Sequence, residues 1–290
     1  MYIDKNGDKW QKVALHLHTT VSDGALTPEE VADVYKQAGF DAIAFTDHWI
    51  FNGNTSISGL NIISGCEYNL GAADSIKGVM HIIGVGMEKE PEGITRECSR
   101  QQVIDKINEC GGVAILAHPA WSLNSIDDAI DLDGFSAVEI FNGVSDTGQS
   151  SRPYSGYFVD LYFNSGRELG IVATDDAHYY NEIDRARSFT MVKSESADAK
   201  DIINAIKKGE FLATQGPFVT LERQENKIVA ECSECVKIDF LSNSVWDYDK
   251  IVRGENLTRA EFDIKKHTKW VRVEVMDKDG NYAWSNAITV

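Results

Sequence analysis

Histidine and acidic side chains recur near the carboxyl ends of short apolar runs in the first 178 residues. His16 and His18 end VALHLH, and Asp176 and His178 end GIVATDDAH. Each pair is two residues apart, which in an extended strand puts both side chains on one face. Imidazole and carboxylate groups together suit zinc, iron or manganese, and one catalytic ion needs only three or four ligands. The sequence therefore predicts two or three divalent ions, with nine candidate ligands: His16, His18, Asp23, His48, Glu67, His81, His118, Asp176 and His178.

These histidines could instead be ordinary core or rim residues. A lone histidine near a strand end is usually hydrogen-bonded within the protein, and we interpret His267, in KKHTKW, in this way. Six buried imidazoles with several acids are different, because without partners each would lose several kcal/mol on desolvation or have a displaced pKa. The six histidines of the first 178 residues therefore favour a metal site.

The elements that must position these residues alternate between strands and helices. Thr27-Pro28-Glu29-Glu30 predicts the start of a helix that ends at Gly39, and a second helix is predicted over 99–110. Six or seven strand–helix units imply an α/β fold with parallel strands in a closed or distorted barrel. Side chains from several strands converge at the carboxyl end of such a barrel. Apolar runs predict strands at 13–18, 41–48, 61–68, 79–86, 113–119, 136–142 and 170–178.

The pattern changes after Gly216-Pro217. Polar and apolar residues then alternate with period two, as in FVTLERQ, KIVAECSE and KWVRVEVM. This alternation predicts an antiparallel β module, a small sandwich-like domain. We therefore expect two domains, residues 1–215 with the candidate site and residues 216–290 with the β-rich module. Three tryptophans of this module could stack on a sugar, but tryptophans in alternating strands more often pack in the core: Trp246, Trp270 and Trp284.

Composition limits the function classes. The 290 residues include 28 Lys and Arg against 45 Asp and Glu, a net charge of −17. This charge disfavours long nucleic acid but leaves a small phosphorylated substrate open, since bound cations change the local field. No apolar stretch predicts a membrane span, and the first residues lack a signal-peptide pattern. Five irregularly spaced cysteines favour a reducing compartment, so we expect a cytoplasmic protein in which Cys232-x-x-Cys235 is an incidental pair of thiols.

The sequence resembles the PHP (polymerase and histidinol phosphatase) domain family in six ordered segments: ALHLHTTVSDG, AIAFTDH, GCEY, MHIIGVG, AILAHP and ATDDAH. The tail YAWSNAI is similar to the C-terminal module of two-domain bacterial PHP proteins. The resemblance implies a distorted, TIM-like (β/α)7 barrel with a trinuclear metal site at its carboxyl end. It implies the following ligands: His16, His18, Glu67 and Asp176 for one ion, Glu67, His81 and His118 for a second, and Asp23, His48 and His178 for a third.

Several divalent ions held by oxygen and nitrogen suit hydrolysis of a phosphate ester. Two ions about 3.5–4 Å apart clamp a phosphoryl group, and a bound water can reach a pKa of about 7. We predict a metal-dependent phosphoesterase in which a metal-bridging hydroxide attacks a nucleotide, short oligonucleotide or other small phosphorylated substrate, with Glu67 as the bridging ligand. Arg152, in SSRPYSG, is a candidate phosphate clamp or a solvated loop residue. Asp47 and Asp175 adjoin ligands on the opposite strand face and are candidates for orienting imidazole N–H groups.

Two other functions stay open on the residues alone. An amidohydrolase-type barrel that hydrolyses C–N or C–O bonds also opens with His-x-His, but it usually bridges its ions with a modified lysine. No lysine ends a candidate mid-barrel strand here. A non-catalytic, metal-stabilised binding protein would usually show gaps in its ligand set, and this set has none.

Overall fold

The structure is a computed structural model that describes residues 1–72, 78–148 and 150–290. The α-helices in these ranges are α1 (Pro28–Gln37), α2 (Arg100–Glu109), α3 (Gly156–Asn164) and α4 (Ala199–Lys207). The strands before residue 216 are β1 (Tyr2–Ile3), β2 (Lys9–Ala14), β3 (Ala42–Ala44), β4 (Thr55–Ile57), β5 (Leu60–Ile63), β6 (Gly65–Gly71), β7 (Val79–Val85), β8 (Val113–Leu116), β9 (Phe135–Asn142), β10 (Gly170–Thr174), β11 (Phe189–Lys193) and β12 (Phe211–Thr214). The later strands are β13 (Val219–Gln224), β14 (Lys227–Ser242), β15 (Ile251–Asp263), β16 (Trp270–Met276), β17 (Tyr282–Ser285) and β18 (Ile288–Thr289).

The first two helices begin where the sequence predicts. At α1 the Thr27 hydroxyl accepts from the Glu30 backbone N–H, the Glu30 carboxylate accepts from the Thr27 N–H, and Pro28 occupies the first helical position. Ser99 and Gln102 make the same reciprocal bonds at α2. Each box satisfies backbone donors that a helix start leaves without partners. Both predicted helices are confirmed.

The strands that carry the candidate ligands lie in two sheets. Strands β2, β3 and β5 pair in parallel in the larger sheet, and β8, β9 and β10 pair in parallel in the smaller one. Isolated bridges, Leu17 to Ala177 and His48 to Glu67, join the two sheets just beyond the carboxyl ends of β2 and β3. The residues after these strands are therefore held close together, as an α/β fold with an active site at strand ends requires.

The α/β class is confirmed, but the described strands do not close into a (β/α)7 barrel. The order in the larger sheet is β13-β14-β16-β17-β12-β11-β2-β3-β5-β4, and in the smaller sheet it is β10-β9-β8-β7-β6. Strict strand–helix alternation fails because β6 and β7 pair antiparallel, β7 pairs antiparallel with β8, and β4 folds back on β5. Antiparallel neighbours need no crossover helix, although α2 does lie in the connection between β7 and β8.

The strands after residue 216 are antiparallel, as their period of two predicts. They belong to the same hydrogen-bonded sheet as β2, because β17 pairs with β12. The sandwich-like packing of these strands stays a prediction. The predicted strand KIVAECSE extends through VKIDFLS to form β14, whose pairing with β15 shifts register between Glu231 and Lys237. The division into residues 1–215 and 216–290 stays a prediction.

The interior is apolar around the strands. Val13, Ile43, Ile83, Ile115 and Val172 are fully buried, which fits the near-continuous apolar runs of strands covered on both faces.

Among the described helices, none combines the length and the apolar character that a membrane crossing would need.

Candidate metal centre

All nine candidate ligands converge on one end of the strands. His16 and His18 follow β2, His48 follows β3, His118 follows β8, and Asp176 and His178 follow β10, while Glu67 lies on β6, His81 on β7 and Asp23 in the loop before α1. They form three overlapping groups whose ligand atoms lie within 4.8 Å of one another and could hold metal ions. The groups are His16, His18, Glu67 and Asp176; Glu67, His81 and His118; and His18, Asp23, His48 and His178.

Glu67 lies at the middle of this cluster and is 1% exposed. Its Oε2 is 3.3 Å from His16 Nε2, 3.1 Å from His18 Nε2 and 3.1 Å from His48 Nδ1. Its Oε1 faces the other side of the cavity. The distances from Oε1 are 2.7 Å to His81 Nδ1 and 3.5 Å to His118 Nε2.

Asp176 faces Glu67 across the two inner histidines. Its Oδ1 is 3.1 Å from both His16 Nε2 and His18 Nε2, and these two nitrogens are 3.2 Å apart. Despite these short distances, no hydrogen-bond partner for Asp176 Oδ1 or for the buried His48 Nδ1 is found in the part of the chain that the structure describes. Lone pairs that crowd one point without hydrogen bonds fit a bound cation better than a hydrogen-bonded network.

The outer group lies closer to solvent. The Asp23 side chain is 54% exposed, and its carboxylate oxygens are 3.5 Å from His178 Nε2 and 3.7 Å from His48 Nε2. The loop that carries Asp23 approaches the inner histidines closely, because a Cβ at Gly24 would lie 2.4 Å from the His18 carbonyl oxygen. Only glycine fits at that position.

The carboxylates and imidazoles shift each other's pKa values strongly. Burial alone would lower the pKa of His18, but the adjacent carboxylates of Asp176 and Glu67 raise it to about 9. The pKa of His16 is also raised, by the same two carboxylates against the effect of burial. Burial would raise the pKa of Glu67, but the positive charge of the histidines around it holds that pKa well below its usual range.

Glu139 orients one of the inner histidines, a role that the sequence did not reveal. It is fully buried on β9, and its Oε1 accepts from His16 Nδ1 at 2.7 Å. Its Oε2 accepts from the His118 backbone N–H at 2.9 Å. With Nδ1 bound in this way, His16 presents the Nε2 lone pair to the cluster. In the sequence, the sign of such a role was an acidic residue within the apolar run SAVEIFN.

The hydrogen bonds found for Asp47 and Asp175 in the described parts of the chain are to groups other than imidazoles, so their expected role in orienting imidazole N–H groups stays a prediction. Among the described residues, Asp47 accepts from the Thr19 N–H and the Ser22 hydroxyl, both at 2.8 Å, and so fixes the loop that leads to Asp23. Asp175 accepts from the Tyr35 hydroxyl at 2.6 Å and from backbone N–H groups near residue 187. Burial raises the pKa of Asp175 to about 6. Both aspartates therefore hold segments that neighbour the ligands.

Two of the candidate ligands have unusual backbone conformations. His118 has φ 26° and Asp176 has φ 51°, in the left-handed region that residues other than glycine rarely adopt. Such strain persists only where surrounding contacts determine the conformation, and it concentrates at functional sites.

A cavity of about 270 Å³ opens onto the cluster. Trp121 and Tyr179 lie at its rim and are 38% and 47% exposed. Arg152 is exposed and is not among the described lining residues, and its role as a phosphate clamp stays a prediction. The lining consists of Asp23, His48, Glu67, His81, His118, Trp121, Val144, Ser145, Thr147, Ser150, Asp176, His178 and Tyr179.

The remaining residues of interest lie elsewhere. Trp270 and Trp284 are buried in the core, whereas Trp246 is 67% exposed. Cys232 and Cys235 are free thiols with sulfur atoms 3.5 Å apart, and burial raises the pKa of both. Raised thiol pKa values make these cysteines weak nucleophiles.

The fold and the site define an α/β protein whose strand ends gather a buried histidine–carboxylate cluster able to hold metal ions. A family model for the PHP domain matches residues 14–245, and the chain belongs to this family.

The chain is also similar to individual proteins. An uncharacterized protein of Methanocaldococcus jannaschii is 31% identical over 147 residues, which cover 45% of this chain and 81% of that protein. A phosphoribosyl 1,2-cyclic phosphate 1,2-diphosphodiesterase of Eggerthella lenta is 24% identical over 180 residues, 60% of this chain and 67% of that protein. A two-domain protein containing a predicted PHP-like metal-dependent phosphoesterase, from Bacteroides vulgatus, aligns with a TM-score of 0.55 at 15% identity, over 100% of this chain and 97% of that one. This last likeness shows a shared fold.

Proposed function

We propose that the protein is a metal-dependent phosphoesterase that hydrolyses a small phosphate ester at a site for two or three divalent ions. The convergence of nine imidazole and carboxylate groups around Glu67 is the observation that carries the proposal. Zinc, manganese and iron all suit this donor set. The unpartnered Asp176 Oδ1 and His48 Nδ1 support the fit, since buried polar atoms are otherwise hydrogen-bonded.

Each residue then has a defined task. Glu67 would bridge an ion held with His16, His18 and Asp176 and a second ion held with His81 and His118, while Asp23, His48 and His178 would hold a third. When bound, the ions supply positive charge for the phosphoryl group and acidify water. Glu139 fixes the tautomer of His16, and the Asp176 backbone oxygen fixes that of His178 by accepting from Nδ1 at 2.8 Å.

The size and charge of the site favour a small substrate. The cavity of about 270 Å³ accommodates a molecule of roughly nucleotide size rather than a duplex. The net charge of −17 opposes long nucleic acid. Because one curated relative is named as a cyclic phosphodiesterase, a ribose cyclic phosphodiester belongs among the test substrates.

Metal analysis combined with a substrate panel tests the proposal. Purified protein is analysed for bound metals, reloaded separately with zinc, manganese or iron, and assayed on phosphomonoesters, linear and cyclic phosphodiesters, amides and lactones. We expect at least two ions per chain and hydrolysis of a phosphoester. Turnover of amides or lactones alone would indicate the amidohydrolase alternative. Full metal content without any turnover would indicate a non-catalytic binding protein.

Two finer features of the sequence prediction are also proposals. We propose a boundary between domains at residues 215 and 216, supported by a separate apolar cluster of β13–β16 around Ile228, Ile238, Phe240 and Val273. We also propose a cytoplasmic location, supported by five free cysteines. Limited proteolysis tests the boundary, and cell fractionation tests the location.

A further inference from the structure

The loop between β9 and α3 forms one wall of the metal cavity. We call residues 143–148 and 150–155 the site loop; four of them, Val144, Ser145, Thr147 and Ser150, line the cavity. The Ser145 N–H and hydroxyl donate to Asn142 Oδ1 at 3.1 and 2.7 Å, and Asn142 Nδ2 donates to Asp176 Oδ2 at 3.1 Å. The position of the site loop therefore sets the shape of the space beside the candidate ligands.

The C-terminal end of the site loop is hydrogen-bonded to two neighbouring segments, strand β9 and the segment at Ala120. Its Pro153 carbonyl accepts from the Asn142 N–H at 2.9 Å, and its Ser155 N–H donates to the Ile140 carbonyl at 2.8 Å. The Ser155 hydroxyl accepts from the Ala120 N–H at 3.2 Å, immediately before Trp121 at the cavity rim. A displacement at this end would reach both the loop and the rim.

Tyr154 lies at this end and connects it to the C-terminal strands. Its hydroxyl donates to the Glu274 carboxylate on β16, and its backbone bridges to Phe141 on β9. Gly156 makes room for this orientation, because a Cβ there would lie 2.1 Å from the Tyr154 hydroxyl. The tyrosine side chain, 43% exposed, thus lies over Gly156 with its hydroxyl bound to Glu274.

Glu274 is itself held rigidly. It is 8% exposed, and its Oε1 accepts from Nη1 of the fully buried Arg272 at 2.6 Å. Arg272 Nε donates to Asp160 Oδ1 on α3 at 2.7 Å. A buried, charge-assisted pair of this kind has little freedom, so the acceptor for Tyr154 is fixed in place.

We propose that Tyr154 and Glu274 are positioning residues, through which the C-terminal strands hold the site loop against the metal cavity and set substrate affinity. The effect on affinity rests on the proposed phosphoesterase function. Neither residue belongs to the candidate ligand groups, so we expect the metal content to be kept when either is replaced. The C-terminal strands thereby gain a role in the reaction of the first 215 residues.

The test removes the Tyr154 hydroxyl in the metal-loaded, full-length protein. For Tyr154→Phe we expect KM for the best phosphoester of the panel to rise about tenfold, with metal content unchanged and kcat altered less. Glu274→Ala should give the same rise. Glu274→Gln should restore most of it, because an amide oxygen still accepts from both Tyr154 and Arg272. The double variant Tyr154→Phe/Glu274→Ala should be no worse than Glu274→Ala alone.

Thr289→Val is the matched control. Thr289 donates its hydroxyl to Glu168, which is also a hydroxyl–carboxylate bond between the C-terminal strands and the rest of the chain, but it lies outside the described lining of the metal cavity. Its loss should leave KM unchanged. An equal rise in KM for Thr289→Val would overturn the proposal, as would a wild-type KM for Tyr154→Phe or a loss of metal in that variant.

Hydrogen exchange separates this inference from the proposed function. Amides of the site loop should exchange faster in Tyr154→Phe than in wild type, and Thr289→Val should exchange as wild type does. The expected difference in exchange does not depend on catalysis. If the wild-type protein cleaves no phosphoester, only the proposed phosphoesterase function and the effect on KM are rejected. Unchanged exchange in Tyr154→Phe would reject the proposal that the bond between Tyr154 and Glu274 holds the site loop in place.

Discussion

The metal cavity and the Arg272 cluster are both buried and charged, but they balance their charge differently. Around Arg272, one guanidinium donates to the carboxylates of Asp160 and Glu274, so a fixed side-chain cation offsets part of their negative charge. The described lining of the metal cavity contains three carboxylates and four histidines but no lysine or arginine. Its positive charge must come from protons on imidazoles or from bound ions.

The atoms left without partners make the same distinction. The Arg272 cluster leaves Nη2, a donor that cannot ligate a cation, whereas the metal cavity leaves a carboxylate oxygen, Asp176 Oδ1, and a ring nitrogen, His48 Nδ1. A buried charged cluster is therefore structural when fixed side chains close it, and it is a candidate ion site when its acceptors outnumber its donors. The following changes test this contrast.

Glu67→Gln should have the largest effect. Glu67 contributes to two of the three ligand groups, so loss of its charge should remove at least one ion and lower turnover by more than about 100-fold. Elemental analysis and steady-state kinetics measure both. Asp160→Asn is the matched control from the Arg272 cluster: it should lower the free energy of unfolding but keep the metal content. Full metal occupancy in Glu67→Gln would show that Glu67 is not a bridging ligand.

Glu139→Gln should have the next largest effect. It weakens the acceptor that fixes His16 Nδ1, and loss of such a partner typically lowers metal affinity 10–100-fold. Competition with a chelating indicator dye measures the affinity. Asp175→Asn, a buried carboxylate that contacts Tyr35 instead of an imidazole, should leave the affinity within a few-fold of wild type. If Asp175→Asn weakens metal binding more than Glu139→Gln, the sequence prediction for Asp175 was right and the role of Glu139 is wrong.

Removal of the metals should reverse the pH dependence of stability. In chelated protein the pKa of His18 is raised from 6.5 to about 9, so its protonation stabilises the fold fully below about pH 6.5, and this contribution is lost as the pH rises through about 9. Bound ions require neutral imidazoles and bind more tightly as the pH rises. The difference in Tm between loaded and chelated protein should therefore widen between pH 6.5 and 9. Thermal unfolding with and without chelator measures it, and a constant or narrowing difference would contradict competition between protons and ions.

Much of the site follows from sequence because period-two spacing and strand ends are local properties. His16-x-His18 and Asp176-x-His178 predicted convergence, and the structure places these four side chains in adjoining groups. The role of Glu139 was not predicted because it depends on β9 lying beside β8 and within reach of His16. An acidic residue within an apolar run does not specify its partner.

The sheet topology was harder to predict for a related reason. Nothing in the runs at 61–68 and 79–86 distinguishes parallel strands from the antiparallel pair β6 and β7, since both are apolar and buried. The C-terminal strands alternate clearly, so their antiparallel pairing was predictable, but the pairing of β17 with β12 across the proposed domain boundary was not. Long-range register depends on the whole fold rather than on local pattern.

Arg152→Ala should have the smallest effect. This variant tests whether an arginine side chain helps the metal cavity to bind the substrate phosphate. Arg152 lies in the site loop, with its backbone N–H donating to the Ser145 carbonyl at 3.0 Å and its side chain exposed. If its guanidinium contacts substrate phosphate, we expect KM to rise a few-fold, more for a phosphomonoester dianion than for a phosphodiester, because the monoester carries the greater charge. Arg152→Lys should show a smaller rise, and Arg223→Ala, at an exposed arginine on β13, should show none. Kinetics on both ester types measure the difference. Equal KM values for Arg152→Ala and Arg223→Ala would mean that Arg152 does not help to balance the substrate charge, and that bound ions do so. The metal cavity would then differ from the Arg272 cluster in using no arginine side chain for this purpose.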